Sequence, residues 1–149
     1  MTKQNQIRLA ELFLKKSKQD LDSCKILLDH GSYGDSCYFA QQSIEKILKA
    51  SLILKSGEFP REHNIVGVFT QKVIAFVSPD WEKKFKKILP DIIELQEHWL
   101  KPKYPYITDS YEWDPTSQYK ETDANAAYKK AKNINNVLTE FLKENYLVE

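Results

Sequence analysis

Four polar residues recur along one predicted helix at spacings of four, three and four: Tyr38, Gln42, Glu45 and Lys49. This spacing places their side chains on one side of an α-helix. A phenol ring, an amide, a carboxylate and an ammonium group in a row can hold a nucleotide, with its base on Tyr38 and its phosphate near Lys49. The same residues also fit a subunit seam or a solvated face, where Glu45 and Lys49 form an ion pair one turn apart.

The segment from 101 to 121 is a second candidate site, because it has aromatic residues but no helical periodicity. Connections this long are usually functional or disordered, and disordered segments are poor in aromatic residues. We therefore predict an ordered loop in which Lys101 and Lys103, with Tyr104 and other tyrosines, form an edge that stacks bases and neutralises phosphate. The alternative is a lid over a seam of the bundle or over a subunit interface, with its hydroxyls reaching water.

Arg61 and His63 directly precede a predicted helix that starts at Asn64. Helix N-termini attract anions, so this pair is placed to contact a phosphate. His63 can equally be a polar residue that ties down the turn. The other two histidines, His30 and His98, lie near the C-terminal ends of predicted helices, where we expect them to interact favourably with the negative end of the helix dipole.

Apolar residues at helical spacing predict the elements that carry these side chains. The first helix has its apolar stripe over residues 7–28 and is stopped by Gly31. The second helix covers residues 35–56, with Ser32 and Asp35 as its capping box. Gln41 falls within the apolar side of this helix, so we expect it to be buried and hydrogen-bonded.

Three further helices are predicted after Gly57. A short third helix begins at Asn64 and covers residues 65 to about 76. Ser78 and Pro79 are typical of a helix start, and the fourth helix that follows has apolar residues from Trp81 to Trp99, with a kink or break expected at Pro90. The last helix is predicted to begin near residue 122 or 123.

These elements predict an all-α protein, an antiparallel up-and-down four-helix bundle with an additional short helix, in which residues 1–149 form a single domain. The net charge of +1 argues against binding nucleic acid through bulk charge alone. No apolar run is long enough to span a bilayer, and the N-terminus has no signal-peptide core, so we expect a cytoplasmic protein.

The two cysteines, Cys24 and Cys37, have neither the CxxC spacing nor the histidine companions of a zinc site. We interpret them as two free buried thiols, with a disulfide between neighbouring helices as the alternative. Glycine is too scarce for a Gly-rich phosphate loop. We therefore expect neither a metal nor a cofactor.

A set of short motifs runs along the chain: Asp20-Leu21 in the first helix, the Gly31-Ser32-Tyr33 turn, Gln41-Gln42, Glu45-Lys46 and Leu48-Lys49-Ala50 in the second helix, His63-Asn64-Ile65, Tyr104-Pro105, and the Ala-rich last helix from Asp123. In these motifs the chain resembles the HEPN domains, small helical-bundle proteins of prokaryotes and of some eukaryotic multidomain proteins. The most specific part is the stretch 38–50. The resemblance implies a bundle that dimerises through helix faces and associates with nucleotides or RNA. Many such domains are partnered with a small nucleotidyltransferase in pairs that look like toxin–antitoxin modules.

Catalytic members of that family resemble metal-independent ribonucleases with an arginine, four to six residues, then a histidine. The only arginines here are Arg8 and Arg61, and neither has a histidine at that distance. Many relatives have arginine before Tyr-Pro, where this chain has Lys103, which lacks the bidentate guanidinium group.

We therefore expect a non-catalytic homodimer that binds nucleotide or RNA, or a partner nucleotidyltransferase, in a two-component module. The first alternative is a divergent ribonuclease toxin that uses Lys103, His63 and Tyr104. The second alternative is a structural interaction module without a ligand. The candidate ligand-binding residues under the first hypothesis are Tyr38, Gln42, Glu45, Lys49, Arg61, His63, Lys103 and Tyr104.

Overall fold

A computed structural model describes residues 1–58 and 64–146 of the chain. In these ranges the helices are α1 (Lys3–His30), α2 (Tyr33–Ser56), α3 (Ile65–Lys72), α4 (Pro79–Leu95), α5 (Pro115–Gln118) and α6 (Glu121–Asn145). Short 3-10 turns cover Ile74–Phe76 and Gln96–Trp99. Strands β1 (Tyr106–Ile107) and β2 (Glu112–Trp113) form a small antiparallel hairpin in which Tyr106 pairs with Trp113.

The predicted all-α bundle is confirmed, with α2 as its central helix. The two-residue connection between α1 and α2 makes these helices antiparallel neighbours, and α2 also packs against α3, α4 and α6. Fourteen of the 24 residues of α2 are buried, which is why its polar side chains need partners inside the protein. One end of the core is aromatic, with the rings of Trp81, Phe85 and Phe141 in mutual contact.

The helix boundaries follow the chemistry of their end residues. Gly31 ends α1 in the left-handed conformation, with φ of 90°, which glycine adopts without steric cost. Ser78 accepts a hydrogen bond from the Trp81 amide at the start of α4, and Pro79 occupies the first turn, as predicted. Ser32 is the N-cap of α2, as predicted, but the predicted capping box is wrong, because the Ser32 side chain makes no capping hydrogen bond.

Two other predictions are corrected by the structure. Pro90 does not split α4, which runs unbroken to Leu95. Pro90 and Lys86, whose carbonyl loses its helical donor, are both exposed, so water can replace the missing hydrogen bond. The region from 101 to 121 is not irregular throughout, since it contains the hairpin and α5. These elements are too short for periodicity to reveal them.

A buried hydrogen-bond network joins the three longest helices. The Ser17 hydroxyl of α1 donates to Asn135 Oδ1 of α6 at 2.9 Å, and Asn135 Nδ2 donates to the Ser43 hydroxyl of α2 at 2.7 Å. Each serine hydroxyl also lies within 2.8 Å of the backbone carbonyl of the other serine. The network satisfies every member, so burial of these polar groups is tolerated in the core.

Cys24 and Cys37 are both buried free thiols, which confirms the interpretation made from the sequence. Burial raises the pKa of the Cys37 thiol to about 12, and the nearby Cys24 sulfur adds to the rise. Burial also raises the pKa of Cys24, although a hydrogen bond with Ser36 opposes the rise. Both groups are therefore protonated thiols at neutral pH.

We expect Asn135→Ala to lower the free energy of unfolding by about 1–3 kcal/mol, because both serine hydroxyls lose a buried partner. Urea unfolding followed by circular dichroism measures the change. The neighbouring Asn136 is exposed, so Asn136→Ala is the matched control and should change stability by less than about 0.5 kcal/mol. Equal losses in the two variants would contradict a structural role for the network.

We expect neither cysteine to react with a disulfide reagent such as DTNB in the folded protein, even when the pH is raised from 7 to 9. The reactive species is the thiolate, and burial keeps both pKa values above their ordinary range. Two thiols should titrate after unfolding in urea. Rapid reaction of either thiol under native conditions would contradict its burial.

Candidate functional site

The polar stripe of α2, formed by Tyr38, Gln42, Glu45 and Lys49, lies at the edge of the bundle. All four residues are partly buried, with 14% of the Glu45 side chain and 19% of the Lys49 side chain exposed. The stripe is therefore neither sealed inside the subunit nor fully solvated. Its side chains are held in fixed positions but still reach the surface.

A continuous chain of hydrogen bonds connects the stripe to α1. Asp20 of α1 is buried and accepts from Lys46 Nζ at 2.5 Å, with Lys16 at 3.0 Å from its other oxygen. Lys46 Nζ donates to Gln42 Oε1, and Gln42 Nε2 donates to Gln41 Oε1 at 2.7 Å. These hydrogen bonds hold Gln41 and Gln42 in place next to the Asp20–Lys46 ion pair.

Gln41 continues this series of hydrogen bonds towards α4. Its Nε2 donates to Glu45 Oε2 at 3.2 Å and to Gln96 Oε1 at 3.3 Å. Glu45 Oε1 in turn accepts from Lys49 Nζ at 2.7 Å. Gln41 is 1% exposed, so the prediction of a buried and partnered amide is confirmed. This one side chain sets the positions of Glu45 on α2 and Gln96 after α4.

A cleft of about 380 Å³ opens beside Gln41. The residues that line it come from α2, from the start of α3, from the end of α4 and from the 3-10 turn after it, and they are Gln41, Glu45, Asn64, Val66, Gly67, Ile93, Gln96 and Trp99. The wall thus combines amides, one carboxylate and an indole ring with aliphatic side chains. Small-molecule sites commonly have this composition and this size.

Lys103 lies close to the indole that lines the cleft. Its Nζ is 4.8 Å from the ring centroid of Tyr38 and 4.9 Å from that of Trp99, within cation–π range of both. The structure therefore brings together Lys103 and Tyr38, which are far apart in sequence. Tyr104 is 63% exposed and does not line the cleft.

The electrostatics of the cleft centre on Glu45. Burial raises the pKa of its carboxyl, but the hydrogen bonds from Lys49 and Gln41 outweigh burial and leave the pKa below its ordinary value. Glu45 is therefore an anion at neutral pH. An ionised carboxylate only accepts hydrogen bonds, so this wall of the cleft requires donors from any ligand.

Arg61 and His63 lie outside the described residues, so their proposed contact with an anion remains a prediction. Asn64, which follows them, accepts from the Gly67 amide as the cap of α3 and lines the cleft. Gln42 is tied to Lys46 and Gln41 and does not line the cleft.

His98 differs from its expected role at a helix end. It is buried, and its Nδ1 lies 2.9 Å from the Tyr119 hydroxyl, which ties the 3-10 turn after α4 to the segment just before α6. Burial lowers the pKa of His98, so the ring is neutral at pH 7. Nothing in the spacing of the residues indicated this pair, because the two positions are 21 apart in the chain.

Trp99 and Gln96 line the cleft, although neither was among the predicted site residues. In the sequence, Trp99 is the last residue of the apolar stripe of the fourth helix, which does not indicate a ligand contact. The helix changes to a 3-10 turn at Gln96, and Trp99, the last residue of this turn, lines the cleft.

The part of the chain that the structure describes contains neither a metal-ligand cluster nor a membrane-spanning helix. Within residues 1–58 and 64–146, no group of three or more His, Cys, Asp or Glu side chains is arranged to hold a metal ion. None of the described helices combines the length and the apolar character needed to cross a bilayer. The candidate site remains the partly buried polar and aromatic cleft at the edge of the bundle.

Comparison with known proteins places this architecture in a family. A protein of Methanocaldococcus jannaschii named "Putative toxin MJ1304" is 38% identical over 141 residues, which are 94% of this chain and 92% of that protein. The crystal structure of TT1696 from Thermus thermophilus shares the fold, with a TM-score of 0.68 and 22% identity over 88% of this chain and 96% of that chain.

The crystal structure of ST0689, described as an archaeal HEPN homologue, has a TM-score of 0.67 and 26% identity over 90% of this chain and 98% of that chain. The family model for the HEPN domain matches residues 10–142. These matches confirm the resemblance drawn from the sequence motifs, which run from the first helix to the last. The protein belongs to the HEPN domain family.

Proposed function

We propose that this protein is the non-catalytic HEPN half of a two-component, toxin–antitoxin-like module, and that as a homodimer it binds a nucleotide or RNA in the cleft beside α2. The observation that carries the proposal is the composition of the cleft. Hydrogen-bonding amides, an ionised carboxylate and an indole ring meet around one space of about 380 Å³.

Trp99 supports nucleotide binding because an indole wall offers a stacking surface to any base. Lys103 lies against the same ring, within 4.9 Å of its centroid, and gives a cation close to the cleft. A phosphate attached to a stacked base is the kind of group that such a lysine neutralises. Tyr38 takes part by holding Lys103 rather than by stacking on the base.

The module is supported by the relative from Methanocaldococcus jannaschii, whose name contains the word toxin and which aligns over nearly its whole length. A non-catalytic role is supported by the sequence, which has no arginine followed by histidine at the family's spacing. Of the described histidines, His98 contacts Tyr119 and His30 ends α1, and neither lines the cleft.

A partner nucleotidyltransferase is the second candidate for the binding function, and the exposed side chains of the hairpin region support a protein partner of some kind. Tyr104, Tyr106, Ile107 and Tyr111 are all large side chains that expose about half of their surface or more. Aromatic residues are enriched at the cores of protein interfaces, so burial of this region against a protein partner is more favourable than its exposure to water.

We expect the purified protein to be a dimer, with twice the chain mass of 17.5 kDa. Light scattering coupled to size-exclusion chromatography at micromolar concentration measures the mass. A monomer at that concentration would contradict the homodimer and leave the cleft to be tested separately.

We expect the protein to bind ribonucleotides or short RNA, and Trp99→Ala to weaken that binding by about tenfold or more, since base stacking contributes about 1–3 kcal/mol. Isothermal titration calorimetry measures both affinities. Phe76 is an exposed aromatic residue outside the cleft, so Phe76→Ala is the control and should bind as the parent does. No heat with any nucleotide or RNA at millimolar concentration would contradict nucleotide binding and favour the protein partner.

A further inference from the structure

Glu45 and Gln96 present a directional pattern of hydrogen-bonding groups to the cleft. Both side chains line the cleft, and both accept a hydrogen bond from the same atom, Gln41 Nε2. Their spacing is therefore fixed by one buried amide instead of by two flexible side chains. A fixed pair of groups can discriminate between ligands that differ only in the order of their donors and acceptors.

The Glu45 carboxylate has acceptor positions to spare. Its two oxygens provide about four lone-pair sites. Among residues 1–58 and 64–146, Oε1 accepts from Lys49 and Oε2 accepts from Gln41, which leaves one acceptor position on each oxygen. Two adjacent acceptors on one carboxylate match a ligand with two adjacent N–H donors.

Gln96 supplies the opposite kind of group next to the carboxylate. Its Nε2 donates one hydrogen to the Ile92 carbonyl at 3.3 Å, and an amide nitrogen carries two. The Gln96 amide can thus donate to an acceptor that lies beside the two donors of the ligand. The cleft is therefore complementary to a ligand edge that runs donor, donor, acceptor.

Among the RNA bases, this order occurs on one Watson–Crick edge. Guanine presents its 2-amino group, N1–H and the O6 carbonyl in sequence. Adenine and cytosine place a bare ring nitrogen beside their amino group, and uracil has a single N–H between two carbonyls. Each of these three bases would bring a lone pair against the Glu45 carboxylate, which costs binding free energy.

We propose that the cleft selects guanine, with its N1–H and 2-amino group on Glu45, O6 toward Gln96 and its ring against Trp99. The inference rests on the nucleotide-binding function proposed above and adds the identity of the base. It gives a specific role, the choice of base, to Glu45, which the sequence predicts only as one of four polar residues that contact a nucleotide.

The test is calorimetric titration of the full chain with GMP, IMP, AMP, CMP and UMP. We expect GMP to bind at least about tenfold more tightly than AMP, CMP or UMP, since a bidentate contact to a base discriminates by about 1–3 kcal/mol. IMP lacks only the 2-amino group, so it should bind about tenfold more weakly than GMP. This comparison needs no substitution and holds even if a variant fails to fold.

Glu45→Gln replaces one acceptor of the carboxylate with a donor and should reduce the preference for GMP over AMP to near unity. Glu82 forms the same kind of ion pair with Lys86 on α4, away from the cleft, so Glu82→Gln should keep the preference. Equal binding of GMP and IMP, or tighter binding of another base, would overturn guanine selection while leaving nucleotide binding in place. No binding of any of the five would overturn both.

Discussion

Gln41 has to be hydrogen-bonded, because its amide lies in the central helix with 1% of its surface exposed. The bonds that satisfy it are the ones that organise the site: Gln42 on one side, Glu45 on the next turn and Gln96 from the end of α4. The hydrogen bonds that offset the desolvation of the buried Gln41 amide thus also fix the positions of two cleft side chains, Glu45 and Gln96. The Asp20–Lys46 ion pair connects these hydrogen-bonded side chains of α2 to α1.

The fold was predictable because its information is local and repeated. Helical spacing of apolar residues identified the four long helices, and Gly31 and Ser78 identified two of their ends. The hairpin and α5 were not predicted, because strands of two residues and a helix of four have no period to detect. The break expected at Pro90 was wrong because the exposed side of α4 tolerates a missing hydrogen bond.

The site was only half predictable for a different reason. Glu45 and Lys49 share one helix, so their pairing followed from spacing, and the burial of Gln41 followed from its place among apolar residues. Trp99 and Gln96 lie in the 3-10 turn after α4, and their position at the cleft depends on how this turn packs against α2, which leaves no clear mark in the sequence. The contact of Lys103 with Tyr38 depends on the path of a loop, which composition does not specify.

The network of Ser17, Ser43 and Asn135 also has a consequence for how precisely the bundle is assembled. Isoleucine, leucine and alanine can interdigitate in several alternative registers of nearly equal energy, whereas the polar side chains of this triad need partners at specific positions on the neighbouring helices. Sliding α1, α2 or α6 by one residue would strand a buried donor or acceptor. The triad therefore selects a single register in which the three helices can pack together.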